Sequence, residues 1–213
     1  MLIIITGPSG VGKTTIIKAL LETDPKMRYS VSLTTRERRH NEQDGVDYHF
    51  ISKEEFKSKI DNDELAEWSE VYGKYYGRLR KDLDELSRQF DVLVGIDVQG
   101  ALKLKKTHPH GIFIFILPKS EIALEQQLRG RRTEDESSLS IRLSSAIKEI
   151  GKADNFDYKV VNDIIDEAVK KVQAIMIAEK CRVKIELKKN ISRISRIIQK
   201  IGPLITRINA IKK

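Results

Sequence analysis

Apolar blocks and amphipathic stretches alternate along the chain. Leu2–Thr6 is an almost unbroken apolar run that stops at Gly7, the pattern of a strand buried on both faces. A helix is predicted over residues 13–21, ended by Asp24-Pro25, and a second strand over 29–33. A polar stretch, 34–47, holds a turn at Asp44-Gly45, and Ser52-Lys53-Glu54-Glu55 forms a capping box that opens a helix over 54–60. Further on, strands are predicted at 92–96, 112–117 and 158–161. Helices are predicted at 99–106, 121–128, 138–152 and 164–180. Strand and helix alternating in this way predict an α/β fold, a parallel sheet with helices on both faces. No internal repeat and no low-complexity tract interrupts the pattern.

Composition narrows the classes. With 213 residues, 40% hydrophobic and 33% charged, the chain can bury one α/β core, with or without a short appendage. No apolar run approaches the ~20 residues of a membrane-spanning helix. Met1 leads straight into a core strand, without the pattern of a leader, so a cytoplasmic protein is expected. Cys181 is the one cysteine, expected as a half-buried small hydrophobe, which excludes an internal disulfide or a thiolate zinc cluster. The net charge of +8 is concentrated at one end: residues 181–213 hold ten Lys/Arg and one acid, Glu186, and the rest holds 29 basic and 30 acidic residues. The charge of the main body therefore does not argue for nucleic-acid binding.

Between the first strand and the first helix stands Gly7-Pro8-Ser9-Gly10-Val11-Gly12-Lys13-Thr14, followed by Thr15. This is the G-x-x-x-x-G-K-[ST] phosphate loop in the strand-to-helix context its mechanism demands. Glycines let successive N–H groups turn toward phosphate oxygens, and the helix N-terminus adds positive potential. Lys13 is positioned for the β- and γ-phosphates, and the Thr14 hydroxyl for Mg²⁺. A nucleoside triphosphate is the expected ligand. The following polar loop places Arg36 and Arg39 near hydroxyl-bearing residues, a fitting clamp for a second, acceptor phosphate, with Tyr48 and Tyr75-Tyr76 as phenolic donors.

The combination Ser32-x-Thr34-Thr35-Arg36-x-x-Arg39, Glu42, Gly45-x-Asp47-Tyr48-x-Phe50, Glu67-Trp68, Gly73-x-Tyr75-Tyr76-Gly77, Ile96-Asp97-x-Gln99-Gly100 and Val161-Asn162-Asp163 resembles the guanylate kinases in order and spacing. The resemblance covers residues 1 to about 180. It implies a P-loop core (1–33 and 79–180), a lid near 130–142 and an inserted GMP-binding domain (34–78). It also implies transfer of the γ-phosphoryl of ATP to GMP or dGMP with Mg²⁺. By the same resemblance Arg36, Arg39, Tyr48 and Tyr76 hold the GMP phosphate, and Ser32, Glu67 and Asp97 read the guanine. Arg131 and Arg142 neutralise the transferring phosphoryl group, and Asn162 lies near the adenine. The chemistry agrees: guanine N1–H and the N2 amino group want carboxylate acceptors, and adenine would turn its N1 lone pair toward Glu67. No general base is required, because the attacking phosphate oxygen is already ionised.

Three positions depart from the family pattern. Arg78 stands where a serine or threonine normally donates to guanine O6; it either donates to the base itself or points to solvent. Gly95 removes a carboxylate that helps organise the magnesium shell, so slower turnover is expected. Arg132 replaces a lid glycine. These departures leave open a kinase for another phosphorylated acceptor, or a guanylate-kinase-like interaction module. Residues 181–213 carry Ile191, Ile194, Ile197, Ile198 and Ile201 at helical spacing among basic residues, broken at Gly202-Pro203. A helix docking on the body or across a dimer interface is the favoured expectation; contact with an anionic surface or nucleic acid is the other. Monomer and homodimer both stay open.

Overall fold

The computed structural model describes residues 1–129 and 136–182, with the backbone alone at 136–138. The chain forms two compact units, Met1–Gln173 and Ala174–Lys213. In chain order the elements are β1 (Leu2–Thr6), α1 (Lys13–Thr23), β2 (Met27–Tyr29), β3 (Ser32–Thr34) and β4 (Tyr48–Phe50). Next come α2 (Lys53–Asp61), β5 (Leu65–Val71), β6 (Lys74–Leu79), α3 (Arg80–Gln89), β7 (Asp91–Gly95) and α4 (Val98–Thr107). The last are β8 (Ile112–Pro118), α5 (Glu121–Arg129), α6 (Glu136–Ile150), β9 (Tyr158–Asn162) and α7 (Ile165–Cys181).

Five strands form a wholly parallel sheet in the order β2-β7-β1-β8-β9. Parallel strands need crossover connections, and the helices supplying them cover the sheet, so β1 is apolar on both faces. Ile3, Ile4 and Ile5 are accordingly all fully buried. Beneath α4 the core continues through Val94, Val98, Leu104, Phe113 and Phe115. Strand β1 is central: the chain leaves it for β2 and β7 on one side, then crosses from β7 to β8 and β9 on the other. This is the switch point at which α/β sheets bind ligands.

A second sheet, β4-β3-β6-β5, mixes a parallel β3–β4 pair with antiparallel β3–β6 and β5–β6 pairs. Its own small core is Leu33, Phe56 and Leu65, with Ile60, Trp68 and Tyr75 packed against it. The single strand expected over 29–33 is two strands. Residues 27–29 pair with β7 in the large sheet, and 32–34 pair with β4 and β6 in the small one. The chain changes sheets at Ser30-Val31, and Ser30 N–H still donates to Leu93 O at 3.0 Å.

Cys181, expected to be half-buried, is exposed. No helix among the described residues is long and apolar enough to cross a membrane. The loop with Arg131 and Arg132, and the predicted helix of the basic extension, lie outside the described residues.

Candidate active site

At the end of β1 the chain turns through the glycine loop into α1. Gly7, Gly10 and Gly12 have φ of 140°, 87° and 93°. At Gly12 the requirement is doubled. The backbone is left-handed, and a Cβ there would stand 2.5 Å from Asn162 Nδ2. Lys13 curls back over the loop and donates from Nζ to the carbonyls of Gly7 (2.6 Å) and Pro8 (2.9 Å). Thr14 and Thr15 are exposed at the first turn of α1. Asn162, at the end of β9, is buried and donates from Nδ2 to Val11 O at 2.8 Å, so it supports the loop's backbone from behind. Glu149 on α6 faces the same loop and accepts from Ser9 N–H. Burial raises its carboxyl above the usual range, against the opposing pull of Lys13. Sequence reasoning missed Glu149, although it stands seven residues after Arg142, on the same helical face.

The second cluster assembles on the small sheet. Arg36 donates from Nη2 to both oxygens of Glu42 (2.8 and 3.0 Å) and from Nη1 to Glu37 O (2.6 Å). Its guanidinium lies over the rings of Tyr48 (5.4 Å) and Phe50 (5.8 Å) and engages the Tyr76 hydroxyl. Arg39 joins through its backbone N–H to Glu42 (3.0 Å) and through Nη1 at 3.9 Å. Tyr48 and Tyr76 meet edge to face at 6.0 Å. Burial pushes the Tyr48 phenol up to about 12, with Tyr29 and Tyr76 adding and Arg36 opposing, so it stays a proton donor at neutral pH. Burial also raises Glu42, but the hydrogen bonds from Arg36 and the Arg39 backbone outweigh it and hold the carboxyl below the usual range. Four residues separated by up to 40 positions thus converge. Glu42 organises the two arginines, a role the sequence did not disclose.

The third cluster joins the two sheets. Glu67 on β5 is 5% exposed, and burial pushes its carboxyl up to about 7; Arg78 and Lys103 pull it down and Asp97 pushes it further up. Asp97 caps α4, its Oδ1 accepting from Gln99 N–H (2.9 Å) and Gly100 N–H (3.0 Å), while Ser69 Oγ donates to its Oδ2. Ser32 is buried on β3. Arg78 does not reach solvent: it is fully buried and bonded to Glu67 and Ser32. The register of β5 and β6 sets Glu67 opposite Arg78, a pairing across a hairpin that the sequence does not announce.

Arg142, on α6, lies with its guanidinium 5.4 Å from the ring of Tyr72, which sits at the tip of the β5–β6 hairpin. Arg131 falls outside the described residues. Among the described residues no cluster of three His, Cys, Asp or Glu forms a metal cage.

A protein-family model described as "Guanylate kinase" matches residues 1–179. A guanylate kinase of Clostridium perfringens is 50% identical over 192 residues, 90% of this chain and 88% of that protein. One from Carboxydothermus hydrogenoformans is 45% identical over 185 residues, 86% and 91% of the respective chains. The crystal structure of guanylate kinase from Anaplasma phagocytophilum superposes with a TM-score of 0.70 at 34% identity, covering 86% of this chain and 87% of that one.

Proposed function

The chain belongs to the guanylate kinase family, and on that premise we propose how its residues share the work of an ATP-dependent nucleoside monophosphate kinase. The reaction is ATP + GMP → ADP + GDP. The observation that supports this division of labour is two separate clusters of donors suited to phosphate on one unit. One is the glycine loop with Lys13 at the end of β1; the other is the Arg36–Arg39–Tyr48–Tyr76 cluster on the small sheet.

In this reading residues 7–15 hold the ATP phosphates, with Lys13 exchanging its loop carbonyls for phosphate oxygens. Residues 34–78 form the GMP-binding domain. Arg36 and Arg39 take the acceptor phosphate from Glu42, and Tyr48 and Tyr76 add phenolic donors. Glu67 and Asp97 accept the N1–H and N2 amino protons of guanine, and the Ser32 hydroxyl meets O6. Arg131 and Arg142 place positive charge where it spreads over the transferring phosphoryl oxygens. Because the acceptor oxygen is already anionic, the chain's own contribution is alignment and charge, not proton removal.

Mg²⁺, when bound, neutralises and orients the β- and γ-phosphate oxygens. Thr14 offers an exposed hydroxyl for the ion, and with glycine at 95 the rest of its shell would come from nucleotide phosphates and water. A cytoplasmic location, and a docking or surface-binding role for the basic extension, complete the proposal.

The test is ADP release measured with ATP, Mg²⁺ and each nucleoside monophosphate in turn. Turnover with GMP and dGMP, and none with AMP, CMP or UMP, is expected. Equal turnover with a pyrimidine monophosphate would overturn the guanine assignment.

A further inference from the structure

Arg78 is fully buried, an unusual place for a guanidinium unless every charge around it is answered. Its Nη1 donates to Glu67 Oε1 at 3.2 Å. Its Nη2 donates to Ser32 Oγ at 2.6 Å and to Ser30 O at 3.0 Å, with Gly95 O at 3.5 Å. Glu67 and Ser32, its side-chain partners, are buried with it. It reaches across from β6 to the carbonyl of the residue where the chain changes sheets. A group so bonded holds the two side chains assigned to the base in fixed positions.

We propose that Arg78 is a positioning residue for guanine recognition: it draws Glu67 toward the ionised form and fixes the Ser32 hydroxyl as a donor. This rests on the reading of Glu67 and Ser32 as the residues that meet the base. A hydroxyl has one proton and two lone pairs. With Arg78 donating into a lone pair of Ser32, the hydroxyl proton remains available for an acceptor such as O6. A carboxylate receives both N1–H and the N2 amino group only when ionised; protonated, it would present an O–H to a donor edge. The groups facing Glu67 are Arg78 from β6, Asp97 at the start of α4, and Lys103 within α4. Burial and Asp97 favour the protonated form, and Arg78 is the larger of the two cationic opponents. Lys103 is additionally committed to Trp68 O at 2.7 Å. The second carboxylate oxygen, Oε2, packs against Gly100 of α4, 2.8 Å from where a Cβ would stand, so glycine at 100 is what leaves room for the carboxyl in this position. The arginine that departs from the family pattern thus has a function in the base site without touching the base.

The experiment is the GMP dependence of ADP release by the full chain across neutral pH, for the wild type, Arg78→Ser, Arg78→Lys and Glu67→Gln. Arg78→Ser is expected to raise the KM for GMP about tenfold at neutral pH. The deficit should shrink as the pH rises and Glu67 ionises without help, and the KM for ATP should stay unmoved. Arg78→Lys, which keeps the charge and loses the planar fork, is expected to restore part of the affinity and most of the wild-type pH profile. It also carries the test if Arg78→Ser does not fold. A deficit constant across pH, or a fall in the KM for GMP, would overturn the positioning role; so would an Arg78→Lys profile displaced upward in pH as far as burial without a counter-charge demands. If Glu67→Gln leaves the KM for GMP unchanged, the base assignment itself fails, an outcome separate from the behaviour of Arg78.

Discussion

Glu42 receives Arg36 and Arg39 together, so the acceptor clamp is assembled before phosphate arrives, and substrate has only to replace one anion by another. Replacing Arg36 by alanine is therefore expected to lower kcat/KM for GMP about a hundredfold, the worth of ~2.7 kcal/mol of charge-assisted bonds, with the KM for ATP near wild type. Gly12 makes the opposite separation. Its left-handed backbone and the Asn162 amide behind it leave no place for a methyl group. Gly12→Ala is expected to cost ~1–3 kcal/mol of stability and to raise the KM for ATP more than that for GMP, read by denaturant unfolding and by kinetics. Both residues were legible from the sequence, since a spaced motif names them directly. The partners of Arg36 and Arg78 were not legible in the same way: Glu42 and Ser32 reach them through loop closure and sheet register, which no local spacing encodes.

Among the elements, those with a strong local signal were found within a residue or two. Ser52 caps α2 as the capping box demands, its Oγ accepting from Glu55 N–H at 3.0 Å. Ser52→Ala should lower stability by ~1 kcal/mol, measured by thermal unfolding, because α2 supplies Phe56 to the small core. The elements absent from the sequence reading mostly lack such signals. The hairpin β5–β6 turns through Tyr72-Gly73, both with positive φ (51° and 74°). Val71 pairs with Lys74 across it. That is the geometry of a two-residue primed turn, but tyrosine is not the residue that announces one. Helix α3 follows Leu79 at its N-cap with no side-chain cap to announce it, although Leu79, Leu83, Leu86 and Phe90 recur at helical spacing and were there to be read. Strand β4 is three residues long and exists because β3 and the Asp44–Tyr48 bridge hold it.

For the unit Met1–Gln173 as a whole, the large sheet supplies the phosphate loop and the small sheet the acceptor cluster, joined by the chain at Ser30-Val31 and by the Arg78 network. The joint carries a linkage cost. Folding raises the Glu67 carboxyl from the ordinary 4.5 to about 7, so across that window the folded state binds more protons than the unfolded one. The contribution of Glu67 to stability must fall as the pH rises through the window. Thermal midpoints should show that slope in the wild type and lose it in Glu67→Gln. On this reading the molecule moves a phosphoryl group between two nucleotides and does not release it to water. Phosphorus NMR of the full chain with ATP, GMP and Mg²⁺ tests this most directly. ADP and GDP are expected to appear together in equal amounts without inorganic phosphate. ADP accumulating with inorganic phosphate and no GDP would contradict it.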